Sequence, residues 1–279
     1  MRWIRGVKEM SESVISVTNL GYKAGYRYLL KDINWQVKKG EHWVVFGMNG
    51  SGKTTLLSII SGFKHLGEGR VEVFGEALSN DNILAVRKRI GWVSSSFFDK
   101  HYSKESALNI VLSGINGTLG LDETITLEDV KLAKALLTEL HLGDKVDHTF
   151  DMFSKGERQN ILIARALISN PDILILDEPC TGLDVYNRSY LFSTIEELSK
   201  QKELTIIYVT HYVEEIIPLF DKILFLKNGT VFEKGDLKTL MTDTIISALL
   251  DYPVEVFTER DGTYRLNVHA ESAIANLLK

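Results

Sequence analysis

Gly47-Met48-Asn49-Gly50-Ser51-Gly52-Lys53-Thr54 is the stretch on which the fold turns. It has the pattern G-x-x-x-x-G-K-[ST], it follows the short apolar run Trp43 to Phe46, and the residues from Lys53 onward read as a helix. Strand, glycine-rich turn and helix in that order are the context that gives the pattern meaning. A chance match should arise only about once in a hundred chains of this length. The glycines let the backbone curl until successive N–H groups face inward, and the helix N-terminus adds positive potential at the same point. Such a cradle suits nucleotide phosphates. Gly47, Asn49, Gly50, Ser51, Gly52 and Thr55 would line it, Lys53 would reach the β and γ phosphates as a point charge, and the Thr54 hydroxyl would ligate Mg²⁺.

Working outward, Val14 to Val17, Tyr26 to Trp35 and His42 to Phe46 read as strands. From residue 100 to 170 the pattern is helical, with Val130, Leu132, Ala135, Leu136 and Leu140 recurring at helical spacing. Apolar strands return at Ile173 to Leu176 and Thr205 to Val209, around a helix-like stretch from Val185 to Leu198. That alternation indicates a parallel sheet covered by helices. Lys222 to Leu226 and Thr230 to Phe232 flank Lys227-Asn228-Gly229, a hairpin signal. Beyond residue 241 a small appendage is expected: a helix near Ile245 to Leu250, strands near Val254 to Phe257 and Tyr264 to Val268, and a helix from Ala270.

Two further features belong to the same sheet edge. The run Ile173-Leu174-Ile175-Leu176 ends in Asp177-Glu178, and the carboxyl ends of parallel strands are where ligands bind. Asp177 would hold the metal, directly or through water, and Glu178 would act as general base or orient a water for attack on the γ-phosphate. His211 follows the strand Thr205 to Val209 and could hydrogen-bond that phosphate.

Composition sets the outer bounds. The 279 residues carry 32 Lys+Arg against 37 Asp+Glu, a net charge of −5, and 44% are apolar, which describes an ordinary globular chain of one large or two small domains. No apolar run approaches the roughly 20 residues that cross a bilayer, so no membrane span is expected. Arg2, Arg5 and Lys8 are followed by polar Met10-Ser11-Glu12-Ser13, which argues against a secretory signal. The single cysteine, Cys180, excludes an intrachain disulfide and fits a reducing compartment. It reads as a small residue at a tight strand-to-loop junction rather than a redox centre. A sequence pI near 5.9 argues against a general nucleic-acid-binding face.

Phe153-Ser154-Lys155-Gly156-Glu157-Arg158-Gln159 stands shortly before the acidic strand, and Asp177-Glu178-Pro179 is followed by Thr181-Gly182-Leu183-Asp184. With the phosphate loop and Val209-Thr210-His211, these motifs resemble an ATP-binding cassette (ABC) ATPase over residues 14 to 240. The resemblance implies an α/β fold of the P-loop NTPase type: a mostly parallel sheet, an N-terminal antiparallel β subdomain and an inserted helical subdomain. It implies an ABC ATPase domain over 12–240, with the helical part near 98–170, and a C-terminal extension over 241–279. It further implies a Mg²⁺-dependent ATPase in which two copies pair head to tail with ATP sandwiched between them. Ser154 and Gly156 of one copy would cap the ATP held by the phosphate loop of the other, and Asp184 would lie at the nucleotide through the D-loop. Tyr22 lies where the family stacks an aromatic on adenine, with Tyr26 as its rival. Ala164 and Arg165 continue the signature helix and are assigned to packing.

The sequence departs from the family in two places. The usual signature Leu-Ser-Gly-Gly-Gln is replaced at its first, third and fifth positions by Phe153, Lys155 and Glu157. In Ile90-Gly91-Trp92-Val93-Ser94-Ser95-Ser96-Phe97, Ser95 stands where the family carries a glutamine that touches Mg²⁺ and relays movement of a membrane partner. A serine could still ligate the metal through a backbone shift or a bridging water. By resemblance the chain is then the ATP-hydrolysing subunit of a transporter, docked from the cytoplasmic face onto separate integral membrane permease subunits. Its tail resembles that of cassettes serving iron-chelate and cobalamin importers, and its serine-rich loop and altered signature those grouped with molybdenum-type transport ATPases. The alternative is a soluble cassette ATPase acting on a nucleic-acid, ribosomal or protein partner, a class in which Ser-x-Gly-Glu signatures also occur. Such proteins commonly carry paired cassettes or coiled-coil arms, which this sequence lacks. A regulator with little turnover is disfavoured by the presence of both Glu178 and His211.

Overall fold

The computed structural model describes residues 13–121, 124–201 and 204–268. The basic N-terminal stretch, the expected domain start at residue 12 and the helix expected from Ala270 lie outside the described residues. In chain order the strands are β1 (Ser13–Ala24), β2 (Arg27–Lys38), β3 (His42–Phe46), β4 (Glu68–Val73), β5 (Glu76–Ala77), β6 (Ile90–Ser94), β7 (Ile173–Asp177), β8 (Thr205–Thr210), β9 (Lys222–Lys227), β10 (Thr230–Asp236), β11 (Val254–Thr258) and β12 (Tyr264–Val268). The α-helices are α1 (Lys53–Ile60), α2 (Ile83–Arg89), α3 (Ser95–Tyr102), α4 (Ala107–Ser113), α5 (Leu127–Glu139), α6 (Lys155–Leu167), α7 (Val185–Gln201), α8 (Leu237–Leu240) and α9 (Asp243–Leu250).

The apolar runs without alternation are strands of one buried sheet. Every residue of β6, β7 and β8 is buried, as is β3 after His42, because helices cover both faces of the sheet they form. That sheet has the order β10-β9-β3-β8-β7-β6, parallel except for the edge strand β10. A second, antiparallel sheet has the order β2-β1-β4-β5, and β11 and β12 form a separate ribbon. The fold is therefore α/β with a mostly parallel sheet and an N-terminal antiparallel layer. Register aligns the chemistry: Phe46 pairs with Thr210, Val209 with Asp177, and Asp177 with Ser94. The chain leaves four neighbouring strands at one edge, and the phosphate loop, the acidic pair, the histidine and the serine loop come off side by side.

Several local readings needed tertiary correction. β1 and β2 each run for 12 residues, longer than the alternation suggests, because register shifts after Val17 and a left-handed Asn19 (φ 50°) interrupt the pattern without ending the strand. The stretch from 68 to 89 forms β4, β5 and α2. Helix α5 turns Ala133, Leu137 and the following Leu140 inward while Leu132 faces solvent, so the buried face is rotated from the expected one. At Asn228-Gly229 both residues have positive φ (51° and 78°), as the hairpin signal requires.

Helices α3 to α6 lie between β6 and β7 in sequence and are held by one buried cation. Arg165 on α6 donates to Tyr102 Oη (2.8 Å), to Ser113 Oγ (3.2 Å) and to the Thr118 carbonyl (2.8 Å), and its guanidinium covers the Phe98 ring. These bonds tie α3, α4 and the following loop to α6, the packing role expected of Arg165. Under the serine loop, Phe63, Trp92, Phe97 and Phe98 form a cluster with ring centroids 4.7–5.8 Å apart. The tail packs on the catalytic sheet through Lys227, whose ammonium donates to the Ala248 carbonyl (2.7 Å) and pairs with Asp251 (2.6 Å).

Candidate functional site

The phosphate loop is built so that only its own sequence fits. A Cβ on Gly47 would lie 2.3 Å from the Leu226 carbonyl oxygen, and Gly52 caps α1 in a left-handed conformation (φ 105°) that no side chain favours. Lys53 crosses beneath the loop, donating to the carbonyls of Gly47 (2.7 Å) and Met48 (3.3 Å). The loop is braced from far along the chain: Gly229 N–H donates to the Ser51 carbonyl (3.0 Å), and the Gly229 carbonyl accepts from Lys31 N–H (2.8 Å).

The acidic pair divides its labour. Ser94 donates to Asp177 Oδ2 at 2.9 Å, while Asp177 Oδ1 is buried with no hydrogen-bond partner among the described residues. Burial pushes the Asp177 carboxyl up to about 6, with the Ser94 and Thr54 hydroxyls opposing. Glu178 adopts a left-handed backbone (φ 50°), fixed by its N–H to the Val209 carbonyl (3.0 Å) and by Thr181 N–H to its own carbonyl (3.2 Å). That turn carries its side chain back over the loop, where Oε1 lies 3.4 Å from Lys53 Nζ and 3.2 Å from His211 Nδ1. Burial lowers the Lys53 ammonium and the nearby Glu178 opposes it.

Lys53, Asp177 and Glu178 line two hollows that share Thr54 and Glu178. One, of about 370 Å³, is bordered by Asn49, Gly50, Gly52, Lys53, Thr54, Thr55 and Glu178. A smaller one, of about 70 Å³, is bordered by Thr54, Ser95, Ser96, Asp177 and Glu178. Ser154 and Gly156 instead line a separate hollow of about 220 Å³ with Tyr186 and Asn187. One chain does not bring its signature residues to its own phosphate loop. A further hollow of about 720 Å³ between α5 and α7 contains none of these groups.

The oxygen-rich small hollow suits Mg²⁺, which prefers one carboxylate with hydroxyl, water and phosphate oxygens. The unpartnered Oδ1 of Asp177 is the observation that fits such an ion. No group of three or more His, Cys, Asp or Glu among the described residues could hold a metal alone, so the nucleotide and water would complete the shell.

The ABC transporter family model matches residues 30–181. The ABC transporter ATP-binding protein YlmA of Bacillus subtilis (strain 168) is 40% identical over 253 residues, covering 90% of this chain and 96% of that protein. The chain belongs to the ABC transporter family, as its ATP-binding cassette. A metal-chelate type ABC transporter solved in an inward-facing conformation superposes with TM-score 0.70 at 26% identity, covering 93% of the cassette and 99% of that chain. A bacterial ABC transporter cassette solved as a dimer gives 0.69 at 29% identity, covering 80% and 98%.

Other expected site residues of the cassette lie further off. The Tyr22 ring packs beside Lys64 Nζ (4.9 Å) and His65 (6.4 Å between centroids) and does not border the phosphate hollow. Tyr26 is fully exposed at the β1–β2 turn. Asp184 spends both carboxylate oxygens on Asn187, at 2.8 and 2.9 Å, capping α7. Ser154 caps α6 through a reciprocal pair with Glu157, whose substitution for the family's glutamine thereby gains a local role; hydrogen bonding to Lys145 is the main cause of its lowered pKa. Ser95 borders the small hollow with Thr54 and Asp177. Ser94 ends β6 in register with Asp177, whereas Ser95 begins α3 and turns toward α6, giving its hydroxyl to Gln159 Oε1 (2.9 Å). Cys180 is buried and its thiol is pushed up to about 11 by burial, so it stays protonated and inert. The contacts of Ser94, Gln159 and Gly229 had no signal in the sequence, since each acts through strand register or a contact distant in the chain.

Proposed function

We propose that this cassette hydrolyses ATP in a Mg²⁺-dependent reaction between two copies of the chain, and so powers transport through separate membrane-spanning subunits. The observation that carries the reading is the convergence of Lys53, Glu178 and His211 beside the unpartnered Asp177 oxygen, with the capping serine and glycine elsewhere. A second copy placed head to tail would supply Ser154 and Gly156 to the phosphate loop, with its α6 N-terminus favouring the γ-phosphate.

Lys53 is held by two loop carbonyls and Glu178. ATP phosphates would compete for that ammonium, and Glu178 would be released to accept a hydrogen bond from water. Water oxygen then bonds to the γ-phosphorus as the bond to the β–γ bridging oxygen breaks; Glu178 orients the water or takes its proton, and His211 donates to a γ-phosphate oxygen. Thr54 and Asp177 would hold Mg²⁺, which when bound neutralises charge on the β and γ oxygens. Ser95 could join them with an oxygen lone pair while its proton stays on Gln159. Residues 12–240 would be the ATPase domain, with 98–170 as the helical part that meets the membrane partner, and 241–279 an extension. No described helix is long and apolar enough to cross a membrane, so in this reading the transport path belongs to the partner, with the cassette on the cytoplasmic face.

The test is phosphate release with and without Mg²⁺ for the wild type and Glu178→Gln, with size-exclusion chromatography in ATP. The variant should lose at least about a hundredfold in rate yet bind ATP and accumulate as a dimer. Equal rates for the two proteins would refute the assignment. Recovery of the wild type from cells with an integral membrane protein would support the transport role, and its recovery with ribosomes or nucleic acid instead would overturn it.

A further inference from the structure

Behind the Glu178–His211 contact runs a buried polar chain that the reaction scheme leaves unused. Cys180, Tyr208, Thr210 and Glu215 are all buried. The Tyr208 hydroxyl donates to Glu215 Oε2 at 3.1 Å, and the Thr210 hydroxyl donates to the same oxygen at 2.5 Å. Tyr212 N–H in turn donates to Thr210 Oγ1 at 2.9 Å. Since the one hydroxyl proton of Tyr208 goes to the carboxylate, the 3.2 Å contact between Cys180 Sγ and Tyr208 Oη runs from thiol to phenol. Every bond thus points toward Glu215, which sits in the single turn of 3-10 helix Val213–Glu215.

The ends of this chain are what give it meaning. Thr210 and Tyr212 bracket His211, and Cys180 lies two residues beyond Glu178. One carboxylate oxygen therefore ties together the turn that presents the histidine and the junction that follows the acidic residue. An apolar side chain could fill the same volume, but only directed hydrogen bonds select one arrangement of the two turns.

We propose that Glu215 is a positioning residue for ATP hydrolysis: through Thr210 it sets the turn of His211, and through Tyr208 and Cys180 it sets the segment after Glu178, so that the two meet. The inference rests on the roles proposed above for Glu178 and His211. Displacement of a reacting group by about 1 Å can cost on the order of a hundredfold in rate, so a loss of order should appear in turnover before it appears in ATP binding.

The test uses the full chain and two substitutions at one position. Thr210→Val keeps the shape and β-branching a strand prefers and removes the hydroxyl, while Thr210→Ser keeps the hydroxyl. Thr210→Val should lower kcat by about 10- to 100-fold, with KM for ATP within about twofold, and Thr210→Ser should recover most of the wild-type rate. In a His211→Ala background, Thr210→Val should cost little more, because the group it positions is gone. Wild-type kcat in Thr210→Val, equal losses in the two variants, or full additivity with His211→Ala would overturn the proposal. If Glu178→Gln or His211→Ala turned over like the wild type, the site assignment would fall with it; if both were inactive and Thr210→Val were not impaired, only the role of Glu215 would fall.

Discussion

Asp177→Asn should change how the ligand-free protein responds to pH. The folded carboxyl titrates at about 6 against an ordinary aspartate value of 3.8, because burial penalises its charge. The folded state therefore holds this proton more tightly than the unfolded chain. The stabilising contribution is complete below 3.8 and is lost as pH rises through 6. At pH 8 the buried charge costs about 3 kcal/mol, of which about 1 kcal/mol is already present at pH 4.5. The asparagine does not titrate, and whatever its buried amide costs is the same at every pH. Unfolding of wild type and variant in EDTA should thus diverge by about 2 kcal/mol between pH 4.5 and 8, or about 4–8 °C in midpoint for a chain of this size. Titrating groups that do not interact with Asp177 are shared and cancel in the difference. Mg²⁺ and ATP should move the difference in favour of the wild type, since a ligand at a hundred times its Kd adds about 2.7 kcal/mol to the wild type and little to a variant lacking the charge. A gap that stays constant across this pH range would refute the argument that Asp177 is a buried, cation-seeking carboxylate.

Two other perturbations test the loop. Lys53→Ala removes the ammonium that bridges the loop carbonyls and Glu178; ATP affinity by calorimetry should fall at least about tenfold, and unchanged affinity would contradict the phosphate-loop assignment. Gly229→Ala places a Cβ 2.6 Å from the Leu29 carbonyl oxygen at a residue with φ 78°. It should destabilise the protein by more than about 1 kcal/mol and weaken ATP binding, because Gly229 N–H braces Ser51 from 178 positions away.

Much of this protein was legible as sequence because its strongest features are local. The glycine spacing of the phosphate loop, the apolar run before Asp177-Glu178 and the Asn-Gly hairpin each depend on backbone rules that act within a few residues. Strand boundaries in the antiparallel layer were less legible, since the bulge near Asn19 breaks the alternation while pairing continues. The inward face of α5 was rotated for a similar reason: the helix period is intrinsic, but which stripe is buried depends on what packs against it.

Sequence alone determined that a phosphate cradle, two carboxylates and a histidine would meet at one sheet edge, because parallel strands joined by helices all end on the same side. Tertiary structure decided which side chains touch there. Ser94 rather than Ser95 reaches Asp177 because strand register pairs them across β6 and β7, while the start of α3 turns Ser95 toward Gln159. Burial, which no local pattern encodes, left Asp177 Oδ1 without a partner and gathered Cys180, Tyr208 and Thr210 around Glu215. Local spacing specifies backbone shape, but contacts between strands and the loss of water around a charge exist only once the chain has folded on itself.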